Sequence, residues 1–194
     1  SPRNYTVTMY VQQDGKLKRL SKSQPFEVVP LRDGALPTKS HGEIADFWRD
    51  YENAVRQGSQ LQISVSNALK QVNGMQMALD RSNAEVGDMD RLLHEIRKSL
   101  LDMNASLNGN PSRMGPGEKT TPNIGSRLFV IQRIIEHSTY GPTETGLETL
   151  YLVQQSIVDL QARLAENKKD LDQMSRRLAK SGAPWVEGNP PPKK

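Results

Sequence analysis

Two long stretches of this chain repeat apolar residues in alternating steps of four and three, and that period restricts the fold more than any other feature. From Ile44 the series runs through Trp48, Tyr51, Val55, Gly58, Leu61 or Gln62, Val65, Leu69, Val72, Met75 or Gln76, and Leu79. From Leu150 it runs through Val153, Ile157, Leu160, Leu164, Asn167, Leu171, Met174 and Leu178. A spacing of 3.5 residues is the seam of one helix against another. The first series covers about 36 residues, or roughly 54 Å of rod at 1.5 Å per residue. A rod of that length buries a stripe only against other rods, so the chain is expected to be mainly α, an antiparallel helical bundle.

Local signals divide the helical part. Ser40 and Glu43 form a capping box at the start of the first helix. A second helix is expected from about Asp88 to Leu107, with seam residues Met89, Leu93, Ile96, Leu100, Met103 and Leu107, and with Gly109 in the left-handed position after it. Thr121-Pro122 reads as the cap and first residue of a short third helix. Its Ile124, Leu128, Phe129, Val130, Ile131, Ile134 and Ile135 fall on several faces, which predicts cover on several sides. Thr145 and Glu148 match a capping box before the fourth helix, which ends at Lys180-Ser181-Gly182. Four helices, two of them long, packed up-down-up-down, are the expected arrangement. The rival is three layers, with the second and third helices stacked end to end as one broken rod. Asn167 interrupts the last seam. It is a candidate setter of register, but an exposed place at the end of the bundle is the expectation. Gly58 and Gly74 weaken the first helix by about 1 kcal/mol each relative to alanine, and invite a close helix approach.

The first 30 residues follow another period. Tyr5, Val7, Met9 and Val11 alternate with Thr6, Thr8 and Tyr10, as in a strand with one buried face. Asp14-Gly15 suits a tight hairpin turn, "KLKRL" is the return limb, and "QPFEVV" is a further short strand placed by Pro25 at a strand start or sheet edge. So few strands make no stable sheet alone. They are expected to be the remnant of a β-sandwich whose other strands precede them, the alternative being a small hairpin packed on the helices, and a serine at position 1 fits a processed or excised chain. The organisation is then terminal sandwich strands over 1–30, a linker over 31–40, the bundle over 41–182 and an extended tail over 183–194.

Composition narrows the function classes. There is no cysteine, which leaves no disulfide, thiolate metal site or cysteine nucleophile. No apolar run is long enough to span a membrane, and no signal peptide opens the chain. The net charge of +4 is confined to residues 1–40, which hold seven Lys and Arg against three acids; residues 41–194 hold 19 of each sign. The helices are therefore neutral mixtures with no basic stripe for nucleic acid.

Little in the chain points to chemistry. "MGPGEKTT" lacks the glycine before Lys-Thr that a phosphate loop needs, and no strand precedes it. His41, His94 and His137 have no second ligand at metal spacing. Asp46/Asp50 and Asp88/Asp90 read as helix N-terminal and surface charge. Asn4 and Asn104 head glycosylation sequons, the second poorly placed within a helix. No catalytic, cofactor or metal residues are assigned. The candidate contact residues are aromatic: Phe47, Trp48 and Tyr51 at the start of the first helix, and Trp185 after the last. In an up-down-up-down bundle these share a pole beside the strands, as a cluster docking the strands or as a partner-binding patch.

"FEVVPLRDGALP", "LNGNPSRMGPGEKTTPNIGSRL" and "SGAPWVEGNP" together resemble the C-terminal region of bacterial sortilin-like, BNR-repeat proteins, often labelled glycosyl hydrolases. The resemblance covers nearly the whole chain. It implies a β-propeller and an immunoglobulin-like domain upstream, with "YTVTMYV" and "QPFEVV" as that domain's last strands. It departs at Pro2-Arg3-Asn4-Tyr5, where the family tends to Pro-Gly-x-Tyr. It carries over no catalytic residue. The resulting expectation is a secreted or periplasmic structural or interaction module whose partners are the upstream domains or another protein. The alternatives are an accessory region of a glycan-acting enzyme with its site in the propeller, and a homo-oligomerising coiled coil.

Overall fold

The computed structural model describes residues 2–31, 38–82, 87–110, 112, 121–137 and 140–183. Four strands come first: β1 (Arg3–Val7), β2 (Tyr10–Gln13), β3 (Lys16–Arg19) and β4 (Gln24–Val28). Four helices follow: α1 (His41–Asp80), α2 (Gly87–Asn108), α3 (Ile124–Glu136) and α4 (Glu144–Lys180). The chain is mainly helical, a bundle preceded by a hairpin, as its two periods predict.

The strands form one long antiparallel hairpin. Asp14 and Gly15 take φ of 52° and 74°, the left-handed pair that a two-residue turn requires. β2 pairs with β3 from Gln13↔Lys16 to Tyr10↔Arg19, and β1 pairs with β4 from Val7↔Gln24 to Arg3↔Val28. "QPFEVV" thus continues the return limb instead of adding a third strand beside it. Between the two ladders, Thr8 and Met9 oppose the four residues 20–23. Side chains hold this wide bulge together. The Met9 amide donates to Ser21 Oγ at 3.0 Å, the Leu20 amide donates to the Met9 carbonyl at 2.9 Å, and the Arg19 guanidinium donates to Ser21 O and Ser23 Oγ at 2.8 and 3.0 Å.

Caps fix the helix starts. Glu43 N donates to Ser40 Oγ and Ser40 N donates to Glu43 Oε2, completing the predicted box. The other two caps sit two residues from their predicted places. Asn123, not Thr121, accepts from Ser126 N at 2.8 Å, and Thr143, not Thr145, accepts from Gly146 N at 3.1 Å. Asn123 and Thr143 have extended backbones, φ −82° and −75°, which point the side-chain oxygen at the third helical amide. Thr145 already lies inside α4, where the Thr149 hydroxyl donates to its carbonyl. Gly109 and Gly182 take φ of 84° and 73° after α2 and α4, as expected.

The helices make three rods. α2 runs back along the C-terminal half of α1: Gln76 donates to Asp90 and Arg97 donates to Asn73. α3 continues in the same direction along the first half. A Cβ on Gly125 would lie 3.3 Å from the Leu107 carbonyl, and one on Gly58 would lie 3.9 Å from both Ile124 and Leu128. α2 and α3 are therefore stacked end to end, the packing held open as the rival. Their 22 and 13 residues give roughly 33 and 20 Å, which together match the 37-residue α4 at about 55 Å. α4 lies parallel to α1 and antiparallel to the broken rod. Gly146 sits beside Phe47 at one pole, and Arg177 reaches Asp88 at 3.1 Å at the other.

One apolar seam runs through all three rods. Val65, Met75, Leu79, Leu93, Leu100, Met103, Ile131 and Val153 have no solvent exposure. In the first turns of α1 the buried line passes through Phe47 and Ala54, with Trp48 and Val55 only half-buried at its margin. α3 buries only Ile124 and Ile131, and leaves Phe129 and Val130 outside, so it is covered on one side rather than several. Its helical stripe at 124, 128, 131 and 135 meets the seam, and the extra apolar residues do not. Gly58 is buried, yet a methyl group there would meet α3 at ordinary contact distance. Close approach does not require this glycine.

Candidate interaction surface

Every residue of β1 to β4 is exposed, and no strand comes within 8 Å, Cα to Cα, of any described helix. In an antiparallel pair, partners across the ladder share a face. Tyr5 and Val7 therefore stand with Phe26 and Val28. Alternation along the first limb adds Met9 and Val11, and the Met9–Leu20 hydrogen bond brings in Leu20. Tyr5 and Phe26 stack, with ring centroids 5.8 Å apart. These seven apolar side chains are all solvent-accessible, Met9 at 61% and Phe26 at 47%.

Charge frames this patch. By the same register, Arg3 lies on the apolar face at one end and Lys16 and Lys18 at the other. The acids of the hairpin are elsewhere: Asp14 is in the turn, and Glu27 pairs with Asn4 on the opposite face. The sequence shows the alternation of the first limb plainly. The return limb keeps its own two-residue period, with Lys16, Lys18, Leu20, Phe26 and Val28 on one face; the extra residues of the bulge decide only which of them lies opposite which residue of the first limb.

The aromatic candidates separate. Phe47 and Tyr51 are core residues, 5% and 9% exposed. Trp48 packs edge-on against Tyr51, centroids 6.0 Å apart, and is half-buried. It lines a groove of about 540 Å³ with Ile44 and the hairpin residues Pro2, Val28 and Pro30. Trp185 lies outside the described residues. The helix before it ends beside α2 Asp88, about 45 Å of α1 away from Phe47. The shared pole expected of these aromatics depended on α4 running antiparallel to α1, and it runs parallel.

The remaining sequence candidates are placed as follows. Asn167 is buried, 6% exposed, against the expectation of exposure. Its Nδ2 donates to Ser99 Oγ at 2.9 Å and to the Arg163 carbonyl at 3.0 Å, and touches Met103 Sδ at 3.6 Å. "MGPGEKTT" lies largely outside the described residues. Asn104 is within α2 and is hydrogen-bonded by Asn108, while Asn4 is on β1. Among the described residues no group of His, Cys, Asp and Glu could hold a metal ion, and no helix is long and apolar enough to cross a membrane. Asp88 is held below the usual carboxylate range by hydrogen bonds from Arg177 and Arg91, and Glu43 by those with Ser40. Burial, then the Glu136 carboxylate, pushes the Tyr51 phenol up.

No family model, curated protein or solved structure matches this chain.

Proposed function

We propose that this chain is a non-catalytic C-terminal structural and interaction module of a secreted or periplasmic β-propeller protein of the sortilin-like, BNR-repeat kind. In this reading the hairpin belongs to an immunoglobulin-like domain of the same polypeptide, and the bundle is a rigid strut that packs on upstream domains or a protein partner. The observation that carries the reading is the solvent-exposed apolar face of the hairpin. A two-stranded ribbon is marginal in water, and this one leaves seven apolar side chains substantially exposed to solvent. The bundle is satisfied by contrast: its seam is closed within the chain, and no buried side-chain polar atom among the described residues lacks a partner.

The test is limited proteolysis of the 194-residue chain beside a longer protein that includes the polypeptide encoded ahead of it. Cleavage in residues 8–24 is expected to be fast in the first and suppressed in the second, with the bundle intact in both. Equal cleavage in both, or an upstream sequence without propeller repeats, overturns the proposal. A homo-oligomer is the second reading, and one observation favours it. Leu147, Tyr151 and Val158 form an exposed stripe on α4 outside the seam. Light scattering distinguishes it, since a monomer mass excludes obligate assembly.

A further inference from the structure

We infer that the hairpin receives its missing strand along the outer edge of β1, from a β-domain whose opposing sheet covers the hairpin's apolar face with an apolar face of its own framed by carboxylates. This rests on the reading of the hairpin as part of a larger β-domain, and specifies how it joins. The two edges of the ribbon are not equivalent. Residues of an antiparallel ladder alternate between pointing their N–H and C=O at the partner strand and pointing them away. Pro25 in β4 pairs with Thr6 in β1 and has no N–H. The alternation that leaves no ladder bond short of a donor turns Pro25 outward, and its neighbours across the ribbon, Asn4 and Thr6, outward on the other side. Proline on a strand is confined to such outward positions. The β4 edge therefore presents a gap where an added strand needs a donor. The β1 edge presents the N–H and C=O of both Asn4 and Thr6.

The face names the partner's chemistry. The exposed apolar area is on the order of 600 Å², at the upper end for the largest patch of a typical monomer and near one side of a standard interface. Its ends carry Arg3, Lys16 and Lys18 and no acid. Two copies placed face to face would bring six cations together, so a second copy is disfavoured. A bilayer accepts cations around an apolar centre, but it leaves both ribbon edges unpaired in hydrocarbon. A β-domain that adds one strand to the β1 edge and lays its opposing sheet, apolar with acidic ends, over the face satisfies backbone, side chains and charges together.

The experiment is amide hydrogen exchange on the 194-residue chain and on the longer protein. The Asn4 and Thr6 amides are expected to slow by about 100-fold in the longer protein while Glu27 changes little. Thr6→Pro removes the slowing at Asn4 and Glu27→Pro does not, since both prolines would sit outward and leave the hairpin paired. Lys18→Glu, which leaves every backbone donor in place, is expected to cut the slowing about tenfold. Slowing at Glu27 alone overturns the choice of edge and leaves the proposed function standing. No slowing at either edge overturns both. An unchanged Lys18→Glu protein overturns the acidic partner. Binding of the 194-residue chain to vesicles of phosphatidylcholine and phosphatidylglycerol, unaffected by Thr6→Pro, overturns the inference in favour of a membrane.

Discussion

Replacing Asn167 by leucine and by alanine separates two contributions to one buried position. Asn167 makes two hydrogen bonds, to Ser99 Oγ and to the Arg163 carbonyl, in a seam otherwise lined by Leu164, Leu171 and Met174. Each such bond contributes about 1 kcal/mol net, so either substitution loses roughly 2 kcal/mol. Neither leaves an orphan: the Ser99 hydroxyl can turn to a carbonyl of its own helix, and the Arg163 carbonyl keeps its helical bond. Leucine then regains about 2 kcal/mol from apolar burial, while alanine regains little and leaves a small void. The expected outcome is Asn167→Leu within about 1 kcal/mol of the parent and Asn167→Ala less stable by about 2–3 kcal/mol. Urea unfolding followed by far-ultraviolet circular dichroism measures both, with unchanged m-values as the control. A loss above about 3 kcal/mol for leucine would show that a polar partner is indispensable there and refute the bookkeeping. An alanine variant as stable as the parent would show that the buried pair contributes nothing.

Gly141 has φ +92°, and a Cβ there would lie 3.0 Å from Ile44 Cγ1 and 3.1 Å from Lys39 Cβ. Gly141→Ala is therefore expected to lower bundle stability by about 2 kcal/mol or more, read as a lower urea midpoint. Gly15→Ala meets no atom within 4 Å despite φ +74°. It is expected to weaken the hairpin by about 1 kcal/mol and leave the helical transition unmoved, which chemical shifts of Tyr5 and Phe26 report. Gly58→Ala places its methyl at contact distance from Ile124 and Leu128, and is expected to stabilise by about 0.5–1 kcal/mol in the same unfolding assay. Asp88 and Glu43 have depressed carboxyl pKa values when folded, so their stabilisation is present above the unfolded values near 4 and is lost as pH falls through the folded ones. Tyr51 is raised, so its stabilisation is present below about pH 10 and is lost as pH rises through the folded value. Tyr51→Phe is expected to flatten the alkaline limb of a thermal-stability profile, and Asp88→Asn the acid limb.

The sequence by itself determined the elements and their buried stripes. The 3.5-residue period requires long rods, Ser40 and Glu43 fix the start of the first, and Asp14-Gly15 fixes the hairpin turn. Each of these is local, set by groups within a few residues of one another. Tertiary structure decided the rest. The seam Met89 to Leu107 and the stripe Ile124 to Ile135 read the same whether the two short helices lie side by side or end to end. Only the contacts between elements, Gly125 against the Leu107 carbonyl and Gly58 against Ile124 and Leu128, select the stacked arrangement. That choice makes α4 parallel to α1, sends the end of α4 to the pole away from Phe47, and buries Asn167 against Ser99 of a helix 68 residues away in sequence. On the hairpin, the alternation of Tyr5, Val7, Met9 and Val11 was legible. The two-residue shift at the bulge, which sets Phe26 opposite Tyr5 and Val28 opposite Arg3, depends on cross-strand bonds that no one-dimensional period encodes.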